Sequence, residues 1–549
     1  MNSFKNKLLL YLFFFVVIFV LYYPAQQAKF INDTLYYLYG ADQMGIKGVL
    51  NSYGIIWLWQ LTAFAYYILY KLFGFHWFGW HITFSALFAY NAYLLFRLLS
   101  FHTTLFSVRI AFISALLFLL SPFQTEVLAW GGCLHYLLIV TFLLLGFIRL
   151  LNYYENPNTE NFIFFQILFA CSLMCFEQAF LFPAVYFLFS FLVASTQLSK
   201  SIKEIFSLFF FKILLVNMLL IGIYMIATKL SFGVWIAHYR ADNHLNLHFL
   251  PMYETYMKYN LKFLVYFRYL PAGLKSVMES PFTKDIFIAI HLILFFAAVV
   301  YLLYKKNAKS PVFFVLSFFY LSYVFMLLPV LNLDTSFNFE IQSDRYGYIA
   351  SVFFYPLLVF ILYRLLTKSL FSVIIMTELV CSLYFVVQNV QLWNKAGEIT
   401  MNLAKNYPLQ NTQKSYILNL PDNYAGAYML RNGFTRALSL VHHKDFLSSA
   451  EETASVNIFS KDKETITTKI NDSTYYVKCD KLGKWYMYRG LGAVDYEKEN
   501  YKVDFDEWNT AYTLTIKKAP EDTTYLLQCE GDKWKIVDTL LPTSKYPRL

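Results

Sequence analysis

The chain has 549 residues, of which 58% are hydrophobic and only 15% are charged. That composition excludes an ordinary soluble enzyme and fits a polytopic membrane protein. The formal net charge of +10 is spread over many short segments, with no basic block of the kind that grips nucleic acid.

A bilayer core takes about 20 apolar residues per helix. Apolar runs near 8–23, 80–99, 107–122, 134–151, 161–177, 179–196, 206–228, 285–304, 311–331, 347–366 and 369–389 therefore give about eleven candidate spans. A further run, 55–74, is interrupted by Trp57, Trp59, Gln60, Tyr66 and Tyr67 and reads as an interfacial helix pair inside the first loop. The first run ends in YYPAQQ, with no small-residue cleavage site, and reads as a retained span.

Basic residues orient these spans. With the N-terminus in the cytoplasm, Lys5 and Lys7, Arg97 and Arg109, Arg149, Lys200 and Lys203, Lys305, Lys306 and Lys309, and Arg364 and Lys368 all fall inside. An odd span count then places the C-terminal part outside. The stretch 232–284 breaks the rule, because Arg240, Lys258, Lys262, Arg268, Lys275 and Lys284 fall outside. They are either solvated loop charges or ligands for an anion at the outer leaflet.

The apolar excess ends near residue 390, which divides the chain into a membrane part, 1–392, and a soluble tail, 393–549. In the tail, SYILNLPDNYAGAYMLRNGFTRAL (415–438) reads as a short strand, a Pro-Asp-Asn-Tyr turn and a helix. Residues 450–540 read as about four to six strands with turns at Asn471-Asp472, Leu482-Gly483 and Gly531-Asp532. The expected tail is a small α+β or β domain. TYYVKCDKLGKW (474–485) and TYLLQCEGDKW (524–534) form a weak internal repeat. Its Cys479 and Cys529 either pair in an oxidising compartment or occupy two separate core sites. Cys133, Cys171, Cys175 and Cys381 sit in apolar surroundings and read as core residues, and no His/Cys spacing suggests zinc. Asp422, Asn423 and Arg431 either stabilise a turn or hold an acceptor.

Polar residues at a membrane edge are costly, which makes them functional candidates. Four groups fall on the outer side: Asn32-Asp33, Glu126 after the helix-breaking Pro122, Glu177 between two apolar runs, and Asp344-Arg345 at the start of a span. Each one alone reads first as a structural pair or a helix-end charge. Four on one side suggest an outward-facing polar cavity.

The order and spacing of several segments resemble multi-span GT-C glycosyltransferases, especially the transmembrane O-mannosyltransferases with tetratricopeptide tails and their bacterial relatives. LFGFHWFGWHITFSALFAYNAYLLFRLL (72–99) matches at Gly74 and His81; ALLFLLSPFQTEVLAWGGCLHYLL (115–138) matches at Pro122, Glu126 and Trp130. LMCFEQAF (173–180) matches at Glu177, while Phe176 stands where that family has lysine. YFRYLPAGL (266–274), DRYGYIAS (344–351) and LWNKAGEITMNLAKNYP (392–408) resemble later segments. There are departures: the family's first-loop acidic pair is Asn32-Asp33, its Arg-Pro is Gly54-Ile55, its charges after the tryptophan are Leu134 and Tyr136, and the tail carries no 34-residue helical repeat.

The resemblance implies an all-α polytopic membrane fold of GT-C type with a small C-terminal domain. It also implies an inverting transferase that moves a sugar from a polyprenyl-phosphate donor to a hydroxyl of a protein, glycan or lipid. Asp33 would be the general base, with Glu126 as the second catalytic carboxylate. Arg345 would hold the leaving phosphate, assisted by Arg240, Lys262, Arg268 and Lys275. Asp344, Glu177 and His81 would support them, and Asp42 reads as a solvated loop acid. A divalent metal stays open without being indicated, because only one of the two adjacent acids is kept. The expected location is the cell (inner) membrane with the tail extracytoplasmic. A flippase or transporter of lipid-linked sugars and a non-catalytic protein on the same scaffold remain alternatives, although no paired inverted repeats are visible.

Overall fold

The computed structural model describes residues 4–52, 60–101, 106–196, 202–233, 235, 248–279, 311–331, 341–458, 465–480, 484–488, 493–518 and 520–542. Among the described residues, eight helices are long and apolar enough to cross a membrane: Lys5–Tyr22, Trp77–Phe101, Gly131–Glu155, Glu177–Ala194, Lys203–Ser231, Pro311–Leu331, Asp344–Leu365 and Lys368–Lys405. Val108–Leu120 and Pro122–Ala129 make a ninth candidate, bent by 53°. The expected span 161–177 is the shorter apolar helix Thr159–Leu173. The expected span 285–304 lies outside the described residues, as does Gly54-Ile55. The chain is a helical integral membrane protein with a strand-rich C-terminal region.

The bend has a local cause. Pro122 cannot donate to the preceding turn, so the helix ends at Leu120. Ser121 then caps the new start, accepting from the Phe123 N–H at 3.3 Å, and the chain restarts in a new direction through Pro122–Gln124 and Thr125–Ala129. This short segment is fully buried and carries Glu126.

After the first span, the first loop folds into the helices Asp33–Met44, Ile46–Ser52 and Gln60–Phe73. Hydrogen bonds fasten it to the bent segment and the residues just after it, two of them at Trp130 and Gly131. Trp130 Nε1 donates to the Ile31 carbonyl at 3.2 Å, and the Tyr66 hydroxyl donates to the Gly131 carbonyl at 2.5 Å. A Cβ on Gly131 would lie 2.3 Å from the Lys29 carbonyl oxygen, so glycine is required for that approach.

The last helix, Lys368–Lys405, runs for 38 residues, about 57 Å at 1.5 Å per residue. Val373, Met376, Val380, Leu383, Tyr384 and Val387 form an exposed apolar stripe on its first half, at the spacing of one helical face. Its second half is buried: Asn389 donates to the Pro122 carbonyl at 3.0 Å, and Gly397 packs so closely on Gln27 and Ala28 that a Cβ would lie 2.4 Å from backbone. The division expected at residue 392 falls within this continuous helix.

Among the described residues the tail holds three sheets. One runs in the order Lys533–Leu540, Thr524–Glu530, Lys414–Ile417, Ala450–Glu452, with Lys414–Ile417 parallel to both neighbours. A second runs Thr465–Asn471, Thr474–Cys479, Ala511–Ile516, Tyr501–Phe505, Tyr496–Glu497, all antiparallel. The third runs Ala427–Tyr428, Leu420–Tyr424, Ser455–Ile458, Tyr486–Met487. These strands are shorter and more numerous than the pattern suggests. The expected Pro-Asp-Asn-Tyr turn is instead part of strand Leu420–Tyr424, and the reversal falls at Ala425 and Gly426, with φ of 49° and 90°. The strand is possible because Arg431 neutralises the buried Asp422, while the Asn423 side chain accepts from the Gly426 N–H at 2.9 Å. Cys479 and Cys529 are free thiols on different sheets.

Candidate functional site

The bent segment and the short 3-10 helix Ile341–Gly347, which precedes the span beginning at Tyr348, bring the central charges together. Arg345 pairs with Glu126: its guanidinium Nη1 meets Oε1 at 2.5 Å and its backbone N–H meets Oε2 at 2.7 Å. Nη2 donates to the Tyr346 hydroxyl at 2.8 Å. The guanidinium lies over three rings, 4.3 Å from the Tyr346 centroid, 5.2 Å from Trp130 and 5.4 Å from Tyr428. A buried cation framed in this way by a carboxylate and aromatic faces keeps its planar fork in one orientation.

Asp344 serves a different pair. It accepts a bidentate contact from Arg268, whose Nη1 lies 2.9 Å from Oδ2, and an ion pair from Lys262. Lys262 comes from helix Phe249–Val265 and Arg268 from the turn that follows it. Both cations lean on the Phe123 ring, at 5.5 Å and 5.4 Å. Burial lowers the Lys262 ammonium from its usual range, and the Asp344 carboxylate works against that shift. Side-chain exposure is 3% for Lys262, 10% for Arg268, 14% for Arg345 and 0% for both carboxylates, so this is an interior cluster and not a surface one.

Asp33 takes part in neither ion pair. It opens helix Asp33–Met44, where the helix dipole favours a carboxylate, and it is half-buried. Its Oδ1 accepts from Asn432 Nδ2 at 2.9 Å. The neighbouring tail residues reach the cluster directly. Tyr428 lies 5.2 Å from the Trp130 ring and is shared by Arg345 and Arg431, the latter at 4.9 Å. Arg431 is itself held by Asp422, Nε to Oδ1 at 2.6 Å and Nη2 to Oδ2 at 2.8 Å.

The other expected residues lie apart from these contacts. His81 sets its Nε2 2.9 Å from the Phe19 carbonyl oxygen and ties the Trp77–Phe101 helix to the first span. Glu177 begins the turn Glu177–Leu181 and acts electrostatically on Tyr224. Lys275 lies on the helix Ala272–Glu279, and among the described residues no ion pair joins it to the cluster. Arg240 lies outside the described residues. Tyr136 and Phe176, two of the departures from the resembled family, stack with His135, Phe176 lying 5.0 Å from the His135 ring and 5.1 Å from the Tyr136 ring. Among the described residues no three His, Cys, Asp or Glu side chains are grouped to hold a metal ion.

Lys29 is a further buried charge, which the sequence reading passed over. Its ammonium donates to the Leu128 carbonyl and lies 4.0 Å over the Phe84 ring. Burial pulls it down to about 7. The only signal in the sequence was a lone lysine in the apolar context AKFI.

No protein-family model and no curated protein matches the chain. Among solved structures it is similar to the oligosaccharyltransferase of Archaeoglobus fulgidus. Against the form tethered to an acceptor peptide containing the NVT sequon, identity is 11% and the TM-score 0.40, covering 79% of this chain and 63% of that one. Against the apo form, identity is 10% and the TM-score 0.40, with 80% and 65% covered. The chain thus spans less than two thirds of the length of either.

Proposed function

We propose that the chain is a GT-C-type membrane glycosyltransferase that moves a sugar from a polyprenyl-phosphate donor to a hydroxyl acceptor on the extracytoplasmic face of the cell membrane. One observation carries this reading. Lys262, Arg268 and Arg345 converge with two fully buried carboxylates in one interior cluster, and Trp130, which lies under Arg345, donates to the carbonyl of Ile31, two residues before the half-buried Asp33. Burying this many charges is expensive and suits a phosphate site better than a structural core.

The division of labour follows from exposure. Glu126 is enclosed and engaged by Arg345, so it orients a cation. Asp33 is reachable and takes the base role. The acceptor oxygen attacks the anomeric carbon from the face opposite the lipid phosphate, and Asp33 takes the hydroxyl proton as the new C–O bond forms. The bond from the anomeric carbon to the phosphate oxygen breaks, and its electron pair leaves on the phosphate. Arg345, backed by Arg268 and Lys262, stabilises that charge. Bilayer, donor and acceptor are the partners this chemistry needs.

A second reading, a non-catalytic protein on the same scaffold, is favoured by Tyr136 and Phe176, which stand where the resembled family has charges and pack with His135 into an aromatic wall. Asp33→Asn separates the two. With donor binding and folding retained, transfer should fall by at least about a hundredfold, the lower range for loss of a general base. A folded variant that transfers at the parental rate would remove Asp33 from the chemistry and leave the scaffold reading in its place.

A further inference from the structure

We infer that Asn432, acting with Asn32, is the positioning residue for Asp33, so that the C-terminal domain supplies part of the site. This deepens the reading of Asp33 as base and rests on it.

Three hydrogen bonds fasten residues 32–33 to residues 429–432. The Asn32 N–H donates to the Met429 carbonyl at 2.9 Å. The Asn432 N–H donates to Asn32 Oδ1 at 2.9 Å, and Asn432 Nδ2 donates to Asp33 Oδ1 at 2.9 Å. One tail residue therefore grips both the carboxylate and the side chain of the residue before it.

The residue it grips is strained. Asn32 has φ of 49° and ψ of −129°, outside the regions L residues ordinarily occupy, and is only 2% exposed. A backbone of this kind persists where the surroundings over-determine it, and such positions gather at functional sites. Here the surroundings are the tail. Gly433 follows with φ of +87°, and a Cβ on it would lie 3.2 Å from the Asn32 carbonyl oxygen and 3.3 Å from Leu35. The close approach therefore calls for glycine.

The geometry also suits the role. A carboxylate about to take a proton needs a fixed plane. An amide that donates to one oxygen fixes that plane and does not itself take the proton. Tail docking does not hang on this amide alone. Helix Phe434–His442 packs on helix Asp33–Met44, with the Arg436 guanidinium 3.7 Å over the Tyr36 ring. Trimming Asn432 should therefore leave the domain docked.

The test is a kinetic cycle on the full-length protein reconstituted in nanodiscs, with a polyprenyl-phosphate sugar as donor. Asn432→Ala should lower kcat about tenfold or more, the range for a hydrogen bond to a charged group, with donor Kd unchanged. Asn432→Gln, which retains the amide, should recover part of the loss. Asn432→Asp keeps the size and the backbone contacts but sets carboxylate against carboxylate, and should lose more than the alanine variant. In an Asp33→Asn background, Asn432→Ala should cost nothing further, because a residue that acts through Asp33 has nothing left to act on. Additive losses would make Asn432 a structural staple and overturn the inference. Parental kcat in both Asn432→Ala and Asn432→Asp, with Asp33→Asn inactive, would overturn it while leaving the base role intact. Parental activity in Asp33→Asn would instead sink the underlying reading.

Discussion

Arg345 addresses Glu126 with two different donors, its guanidinium on one carboxylate oxygen and its own backbone N–H on the other, at 2.5 Å and 2.7 Å. The side chain's direction is thereby locked to the turn that carries it. Arg345→Lys keeps the charge but loses the planar fork and its stacking on Tyr346 and Trp130. Binding of a polyprenyl-phosphate sugar should weaken by about tenfold or more. Titration of the purified variant with the donor measures this, and unchanged affinity would take Arg345 out of the phosphate site.

Asp344 is the shared counter-ion of Arg268 and Lys262. Asp344→Asn leaves two buried cations facing each other. Removing one partner from a buried ion pair costs about 3–5 kcal/mol, so the variant should melt well below the parent in detergent by intrinsic fluorescence. Equal melting temperatures would mean that the triad is dispensable for the fold.

Lys29 gives a pH prediction. Its ammonium is pulled from 10.5 to about 7 by burial. Between those values the unfolded chain holds the proton and the folded chain has released it. Stability therefore rises with pH across that window, by up to about 1.4 kcal/mol per unit. The full cost of the buried charge is present below about pH 7. Subtracting the profile of Lys29→Met from that of the parent should isolate a rise between about pH 7 and 10, and a flat difference would show that Lys29 keeps its proton there.

The tail is expected outside the cytoplasm, on the lysine and arginine pattern and the odd number of spans that the sequence alone suggests. Ser473 is exposed on the Asn471–Ser473 turn. A cysteine placed there should react with a membrane-impermeant maleimide in intact spheroplasts. Labelling only after lysis would invert the topology.

The spans were legible because a run of about 20 apolar residues is a long signal, and the bend at Pro122 and the polar residues beyond it could be seen as a break in that signal. The choice of partners was not legible. Asp344 and Arg345 are adjacent in sequence, yet successive residues of a 3-10 helix point about 120° apart, so one turns to Arg268 and the other to Glu126. The tail's share of the site was hidden for another reason. Tyr428 and Asn432 meet Trp130, Asn32 and Asp33 across hundreds of residues, and no local pattern encodes such a pairing. The tail's strands were undercounted because several, such as Ala427–Tyr428 and Tyr486–Met487, are only two residues long.

The contact between Asn32 and Asn432 joins positions 400 residues apart, and this sets a timetable for biogenesis. At roughly 5–20 residues per second, the ribosome completes Asn432 on the order of 20–80 seconds after Asn32. Throughout that interval the first loop is without the contact that holds its strained turn. On the proposed function, the nascent protein would thread its helices into the bilayer while still inert. Activity would switch on only when the last translocated segment arrives, so a chain truncated after its final span would insert normally and remain silent.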